Sequence, residues 1–367
     1  MFSLHLIQAE EGDCLLLQFG TVHAPRFVLI DGGPPAIYQD HLRRVLQQKV
    51  AGNSSLERVM LSHVDNDHIS GLLDLFAELR SQHDNGQPGW VAVGGLWHNS
   101  FSRTLDPAGA LQPRLKGLLA LAGVRSIMTQ TAISVNGIDE GNQLRLFAQL
   151  LNVPLNADTP DPITVDSAAA AVTFGNLKLT VVGPTQANLD ALRGEWEQWL
   201  ADHEDAIGSG NPRVMANSDK SIPNLSSICL LAEADGQSLL LTGDARSDFV
   251  LDGLRAKGLL DAAGGAHFNV LKVPHHGSDR NMTKSFFKKV TADGYAISAN
   301  GKDDNPDLAT LIWLVEAAKE QNRRPEIFLT NSTPSTRKLV QEYLPDDYGY
   351  TLQFLPDGAD ELEIKLA

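Results

Sequence analysis

Six consecutive residues, His63-Val64-Asp65-Asn66-Asp67-His68, follow directly on the largely apolar run Arg58-Val59-Met60-Leu61-Ser62, and no other stretch constrains this chain as much. They place four potential metal ligands at the mouth of a predicted strand and ahead of a predicted helix. Two carboxylates held this close repel each other unless something positive lies between them. One divalent ion could not use all four groups and leave room for chemistry, so the pattern favours two ions. Gly71, just beyond, lets the next helix pack close. The plainer alternative is a polar strand-to-helix loop in which an aspartate caps the helix.

The same event recurs along the chain. Apolar strands are predicted at 4–8, 14–19, 26–30, 177–182, 226–232, 238–241, 269–273, 295–298, 326–330 and 350–354. Helices are predicted over 40–50, about 70–80, much of 107–151, 284–290 and 306–320. Metal-competent side chains stand where strands run out: Asp31 before Gly32-Gly33, the hexad, Asp244 after Leu241-Thr242-Gly243, and His275-His276 after Val273-Pro274. His98, in Leu96-Trp97-His98-Asn99, is a fifth case. In layered α/β proteins strand ends meet, so residues distant in sequence converge there. Each position has its ordinary alternative: an Asx turn at Asp31, a helix cap at Asp244, a surface turn at His275-His276 and packed structure at His98. Hairpins followed by alternating strands and helices in both halves predict two layers of sheet with helices outside.

Composition narrows the function classes. A net charge of −15 disfavours a protein that coats nucleic acid through a basic surface. It leaves open a local grip on phosphate, because bound metal ions add positive charge that the count omits. Cys14 and Cys229 lie in apolar stretches with no CxxC pair, which predicts buried, reduced thiols. The first residues lack the pattern of a signal peptide and no apolar run reaches 18 residues, so the expectation is a cytoplasmic protein without a membrane span. Residues 186–223, with Trp196 and Trp199 and then a polar tract, read as an insertion or flap in a single layered domain spanning 1–367.

His63-x-Asp65-x-Asp67-His68, the Gly243-Asp244 step and His275-His276-Gly277-Ser278 resemble the metallo-β-lactamase superfamily of metallohydrolases. Gly12-Asp13, Ile30-Asp31-Gly32-Gly33, Asn224-Leu225-Ser226-Ser227, Leu241-Thr242-Gly243-Asp244 and the Val273-Pro274 lead into His275 are most similar to its ComEC-type branch, which is tied to DNA uptake. That branch's membrane channel is not expected from these residues, so a transport role is not carried over. The resemblance implies a four-layer αββα sandwich with a dinuclear site at one edge. It implies that His63, Asp65 and His98 hold one metal and Asp67, His68 and His275 the other, with Asp244 bridging. Asp31 would orient the hexad without binding metal. Two departures stand out: Asp65 replaces the more usual histidine, shifting preference from Zn²⁺ towards Mn²⁺, and Asn305-Pro306 stands where the branch tends to carry His-Pro, removing a substrate-side proton donor.

Such a site favours hydrolysis by a metal-held hydroxide without a protein nucleophile. Asp67, Asp244 and His276 are the candidate catalytic groups, His276 as a proton donor. The residues do not settle which of His275 and His276 binds metal; the order off the strand favours His275. Ser278, Arg280 and Asn281, with backbone N–H groups at the next helix start, are candidates for holding a phosphate. Lys284, Lys288 and Lys289 add charge nearby, or are simply a solvated helix face. The leading expectation is a phosphodiesterase or nuclease acting on DNA, RNA or a nucleotide. A lactonase or thioesterase on the same centre, and a regulatory protein with a vestigial site, are the alternatives.

Overall fold

Alternation along the strands sorts the apolar residues onto two faces and builds the layers. The computed structural model describes residues 1–50, 54–100, 104, 106, 108–111, 113–114, 130–208 and 226–367. Strands β1 (Phe2–Ile7), β2 (Leu15–Thr21) and β3 (Ala24–Ile30) form an antiparallel meander. Helix α1 (Arg43–Lys49) leads to β4 (Leu56–Leu61), parallel to β3. Helix α2 (Asn66–Asp84) then leads to β5 (Leu96–His98), parallel to β4.

Helix α3 (Gln130–Leu150) precedes the second sheet. Strands β6 (Val172–Phe174) and β7 (Leu177–Gly183), helix α4 (Gln186–Gly208), and strands β8 (Cys229–Ala234) and β9 (Gln237–Leu241) make its antiparallel part. Helix α5 (Ser247–Ala256), β10 (Ala266–Lys272), α6 (Lys284–Lys289), β11 (Val290–Ile297), α7 (Leu308–Glu320), β12 (Glu326–Leu329), α8 (Pro334–Glu342), α9 (Pro345–Tyr348) and β13 (Thr351–Phe354) continue it, with β9 to β13 parallel. Strand β14 (Glu361–Lys365) returns to pair antiparallel with β1. The sheet orders are β14-β1-β2-β3-β4-β5 and β13-β12-β11-β10-β9-β8-β7-β6.

Three cores fill the spaces between four layers. Leu4, Leu17, Val28 and Met60 of one sheet meet Leu179, Leu230, Leu241 and Val270 of the other. Ile7, Leu16, Leu29 and Leu61 point the opposite way, onto Leu46 of α1, Leu72 and Phe76 of α2, and Leu144 of α3. Leu231, Leu240 and Leu271 point outward from the second sheet onto Val250 of α5, Phe287 of α6 and Leu311 of α7. The helix–sheet–sheet–helix order matches the layering expected from sequence. Among the described residues, no helix is long and apolar enough to cross a membrane. Of the proposed insertion, residues 186–208 are helix α4, while 209–223, together with Asn224 and Leu225, lie outside the described residues. Likewise, the predicted helical stretch from 107 is described as helix only from Gln130, apart from isolated positions before it.

Helix α2 starts at Asn66, four residues before the predicted start, so Asp67 and His68 lie in its first turn. Its close seat on the β3 turn needs glycine: a Cβ on Gly71 would stand 2.0 Å from the Gly32 carbonyl oxygen. Gly71→Ala is therefore expected to destabilise the protein by about 1–3 kcal/mol. A lower urea midpoint with an unchanged slope would show it.

Candidate metal centre

The parallel strands β3, β4 and β5 of one sheet and β9 and β10 of the other all end at the same edge, which brings Asp31, the hexad, His98, Asp244 and His275-His276 to one rim. A backbone bond joins the two sheets there, Ile228 N–H to the Ser62 carbonyl at 2.9 Å. Asp65 is the residue before α2, yet its side chain makes no capping bond. Asp244 does not cap α5 either, since Arg246 precedes that helix. Neither carboxylate caps a helix.

The imidazoles are held so that Nε2 faces inward. His68 Nδ1 lies 2.9 Å from Asp31 Oδ2, and Asp31 also accepts from the Ser62 N–H at 2.7 Å and the Ser62 hydroxyl at 2.6 Å. His63 Nδ1 lies 3.1 Å from Ser62 Oγ. His276 Nδ1 lies 2.9 Å from the Ser298 carbonyl. With each Nδ1 proton so engaged, the Nε2 lone pairs are directed at the carboxylates.

The two oxygens of Asp244 face different atoms, although His63, His68 and Asp244 also bring ligand atoms within 4.8 Å of one another. Asp244 Oδ1 lies 3.4 Å from His68 Nε2 and 3.5 Å from His276 Nε2, and those two nitrogens are 3.3 Å apart. Asp67 Oδ2 is 3.5 Å from His276 Nε2 and 4.0 Å from His68 Nε2. On the other side, Asp244 Oδ2 is 3.5 Å from His63 Nε2, which is 3.6 Å from Asp65 Oδ2. Charge-assisted hydrogen bonds would close such pairs to about 2.7–2.9 Å. Nitrogen and oxygen ligands at about 2.0–2.2 Å from one tetrahedral ion lie roughly 3.3–3.6 Å apart, which is the spacing of all these pairs except Asp67 with His68. Buried His63 Nε2 and Asp244 Oδ1 have no hydrogen-bond partner among the described residues, so the donor set fits metal.

Charge points the same way. Asp13, Asp31, Asp65, Asp67 and Asp244 surround the site with the buried Lys272. Five carboxylates against one ammonium leave four negative charges, which two divalent ions neutralise. Without metal the histidines carry that burden. Burial opposes charge on His68, but Asp244, Asp67 and Asp31 hold its pKa well above the ordinary imidazole value. Asp244 and Asp13 do the same for His276. Burial likewise disfavours the Asp244 carboxylate, yet His276 and His68 keep its pKa well below the usual range. Asp67 is lowered to about 2, with His68 and His276 outweighing burial.

His275 and His276 exchange the places expected from their order off the strand. Both have left-handed backbone, φ 49° and 54°, a conformation costing on the order of 1–3 kcal/mol each for non-glycine residues. The turn carries His276 inward to Asp67 and His68. His275 stays at the mouth with a 27% exposed side chain, its Nε2 3.8 Å from Asp244 Oδ2. Its Nδ1 is 2.6 Å from the Asn281 amide, which also donates to the Asp244 carbonyl at 3.3 Å.

His98 lies at the end of β5, its backbone fixed by Asn156, but its ring does not join the ligand clusters found among the described residues. Burial and then Arg145 push its pKa down to about 3, and neither ring nitrogen has a hydrogen-bond partner among the described residues. Helix α3 packs on this ring: a Cβ at Gly141 would be 3.2 Å from His98 Nε2. Glu140 beside it, marked by no motif, has a buried Oε2 without a hydrogen-bond partner, and burial followed by the Asp65 charge raises its pKa.

The region expected to hold phosphate is partly committed elsewhere. Ser278 and Asn281 are buried while Arg280 is exposed. The N-terminus of α6 is capped by the Thr283 side chain. Lys284 pairs with Glu316 and Glu320, and Lys288 with Glu320. Those two lysines belong to an ion-pair network with α7.

Residues 12–119 match the family model described as the metallo-beta-lactamase superfamily. This segment holds Asp13, Asp31, the hexad and His98, and the two mixed sheets flanked by helices are consistent with the metallo-β-lactamase fold. A solved structure from Parabacteroides distasonis, provisionally named as a metal-dependent hydrolase, is similar at 10% identity, over 88% of this chain and 98% of its own, with a TM-score of 0.32. A beta-lactamase domain protein from Burkholderia ambifaria is similar at 12% identity, over 69% of this chain and 60% of its own, with a TM-score of 0.29. No curated protein matches the chain.

Proposed function

We propose that this protein is a hydrolase dependent on two divalent metal ions and that it cleaves phosphodiesters. The observation that carries the dinuclear reading is Asp244, whose two oxygens each face a separate set of ligand atoms at ligand-to-ligand spacing. In this reading Asp67, His68 and His276 hold one ion and His63 and Asp65 the other, with Asp244 shared. His98 is assigned to the second group because its buried imidazole has no hydrogen bond among the described residues, although it stands outside their ligand clusters. Two such ions, Zn²⁺ or Mn²⁺, would supply an activated water and polarise the scissile group.

The chain's own residues do the rest. Asp31, Ser62 and the Ser298 carbonyl hold the Nδ1 protons, keeping the Nε2 atoms available. His275 at the mouth, steadied by Asn281, is placed to hand a proton from Nε2 to the leaving oxygen. Arg280, exposed four residues after His276, is the candidate for meeting phosphate charge. A phosphodiester is favoured over a carbon ester by the similarity of Leu241-Thr242-Gly243-Asp244 and His275-His276-Gly277-Ser278 to the ComEC-type branch. The test is a panel of single-stranded DNA, duplex DNA, RNA, bis-p-nitrophenyl phosphate and a homoserine lactone, each with Mn²⁺ or Zn²⁺. Metal-dependent cleavage of phosphodiesters is expected. Hydrolysis of the lactone alone sinks this reading, and no turnover with any member favours a vestigial site.

A further inference from the structure

Lys272 is a cation at a core position. Alternate residues of a strand face the same side, and Val270 of β10 packs in the core between the sheets, so Lys272 is directed there too and is fully buried. Its Nζ lies 2.7 Å from Asp13 Oδ2 and donates to the Val273 carbonyl at 3.0 Å. Asp13, on the turn between β1 and β2, is itself fully buried. The pair therefore bridges the two sheets, Asp13 coming from one and Lys272 from the other.

An ion pair this deep contributes little net stability, because desolvating two charges offsets most of their attraction. Apolar residues of similar volume would join the sheets as well. The placement is explained by what the other Asp13 oxygen faces. Oδ1 stands 3.5 Å from His276 Nδ1, behind the ring whose Nε2 points at Asp67, His68 and Asp244. The same residue also pins the hexad's main chain: Asp13 N–H donates to the Asp67 carbonyl at 3.1 Å, and the Asp13 carbonyl accepts from Gly33 N–H at 2.8 Å.

We propose that Asp13 and Lys272 are positioning residues for the metal ion held by His276: Asp13 backs the imidazole as its outer carboxylate, and Lys272 fixes the direction of that carboxylate. The inference rests on the dinuclear reading above. Carboxylates behind metal-bound histidines orient the ring and raise its donor strength. Asp31 lies behind His68 at hydrogen-bond distance, 2.9 Å, while Asp13 stands farther off, beside the Nδ1 that the Ser298 carbonyl engages, so both histidines facing Asp244 Oδ1 have a buried aspartate behind them. Burial disfavours charge on Asp13, but Lys272 and His276 outweigh it and keep the group ionised.

The test uses the full chain stripped with chelator and titrated with Zn²⁺ alone by calorimetry, and with Co²⁺ alone by visible absorption. The variant is the double substitution Asp13→Asn with Lys272→Met, which leaves no unpaired buried charge. Wild type is expected to take up two equivalents. The double variant should keep its circular dichroism and one equivalent at wild-type affinity, bind the other roughly 10–100-fold more weakly, and show altered Co²⁺ bands. Should the double variant not fold, Asp13→Asn with Lys272→Gln, which is also uncharged and lets the two amides hydrogen-bond, carries the same expectation. Two equivalents at wild-type affinity with unchanged Co²⁺ bands would make the pair merely structural and overturn the proposal. Fewer than two equivalents in wild type would remove its premise. Two equivalents with no phosphodiester cleavage would sink the substrate reading and leave this inference standing.

Discussion

Asp244→Ala is expected to abolish turnover and to prevent retention of both metal ions, while leaving the fold in place. Asp244 is the only carboxylate within 3.5 Å of inward-facing nitrogens on both sides of the site among the described residues, His63 through Oδ2 and His68 and His276 through Oδ1. Removing it takes one ligand atom from each set at once. The backbone there is secured independently: Asp244 N–H donates to Ser227 Oγ at 3.1 Å, and its carbonyl accepts from Asn281 at 3.3 Å. Alanine keeps both bonds, so the fold should survive although the metal-free chain loses the carboxylate that steadies His68 and His276. The fall in kcat/KM should exceed the roughly 10–100-fold typical of losing an outer partner of a metal ligand. Elemental analysis after gel filtration supplies the direct readout. Asp67→Ala, which touches one set only, should retain close to one ion per chain, whereas Asp244→Ala should retain almost none. Two ions per chain in Asp244→Ala would mean that Asp244 is not the bridge.

The strand ends were legible because hydrophobic runs stop abruptly there and polar side chains follow, which is how the hexad, Asp31 and Asp244 stand out in the sequence. The assignment within His275-His276 was not legible. Order off a strand predicts direction only while the backbone stays extended, and both residues adopt a left-handed conformation that turns the second one inward. Lys272 left a signal that could have been used: in Asn269-Val270-Leu271-Lys272-Val273 the lysine shares a face with Val270, so an inward charge was implied. Glu140 left none, since its approach to the site depends on how α3 packs beside His98. Strand β14 was missed because only Leu362 and Ile364 face the core among three charged residues, a pattern too short to distinguish from a solvated tail. Helices α5 and α8 were also unanticipated, lying in stretches whose polar content hides the buried face.

Chelation is expected to abolish turnover and lower the melting temperature, and the gap between metal-free and reconstituted protein should widen as pH rises. In the metal-free chain the crowded carboxylates rely on imidazolium. His68 and His276 are held above their ordinary value, Asp244 being the largest favourable influence on each against opposing burial. A group whose folded pKa is raised contributes stability fully present below its unfolded value, about 6.5 for histidine, and loses it as pH climbs through the folded value. Asp244 behaves oppositely. Its depressed pKa gives stability present above an unfolded value of about 3.9 and lost only as pH falls through the folded value, so it stays constant across the neutral and alkaline range. Metal-free protein should therefore weaken as pH rises above about 6.5 and through the raised values of His68 and His276. Metal-bound protein should not, because the ions replace those protons and bind more tightly as the ligands deprotonate. Stabilisation by a ligand at 100 times its Kd is about 2.7 kcal/mol and grows logarithmically with affinity. Thermal melts with and without chelator across that range read the difference. A gap that stays constant or narrows with rising pH would show that the inward-facing histidines do not exchange protons for metal.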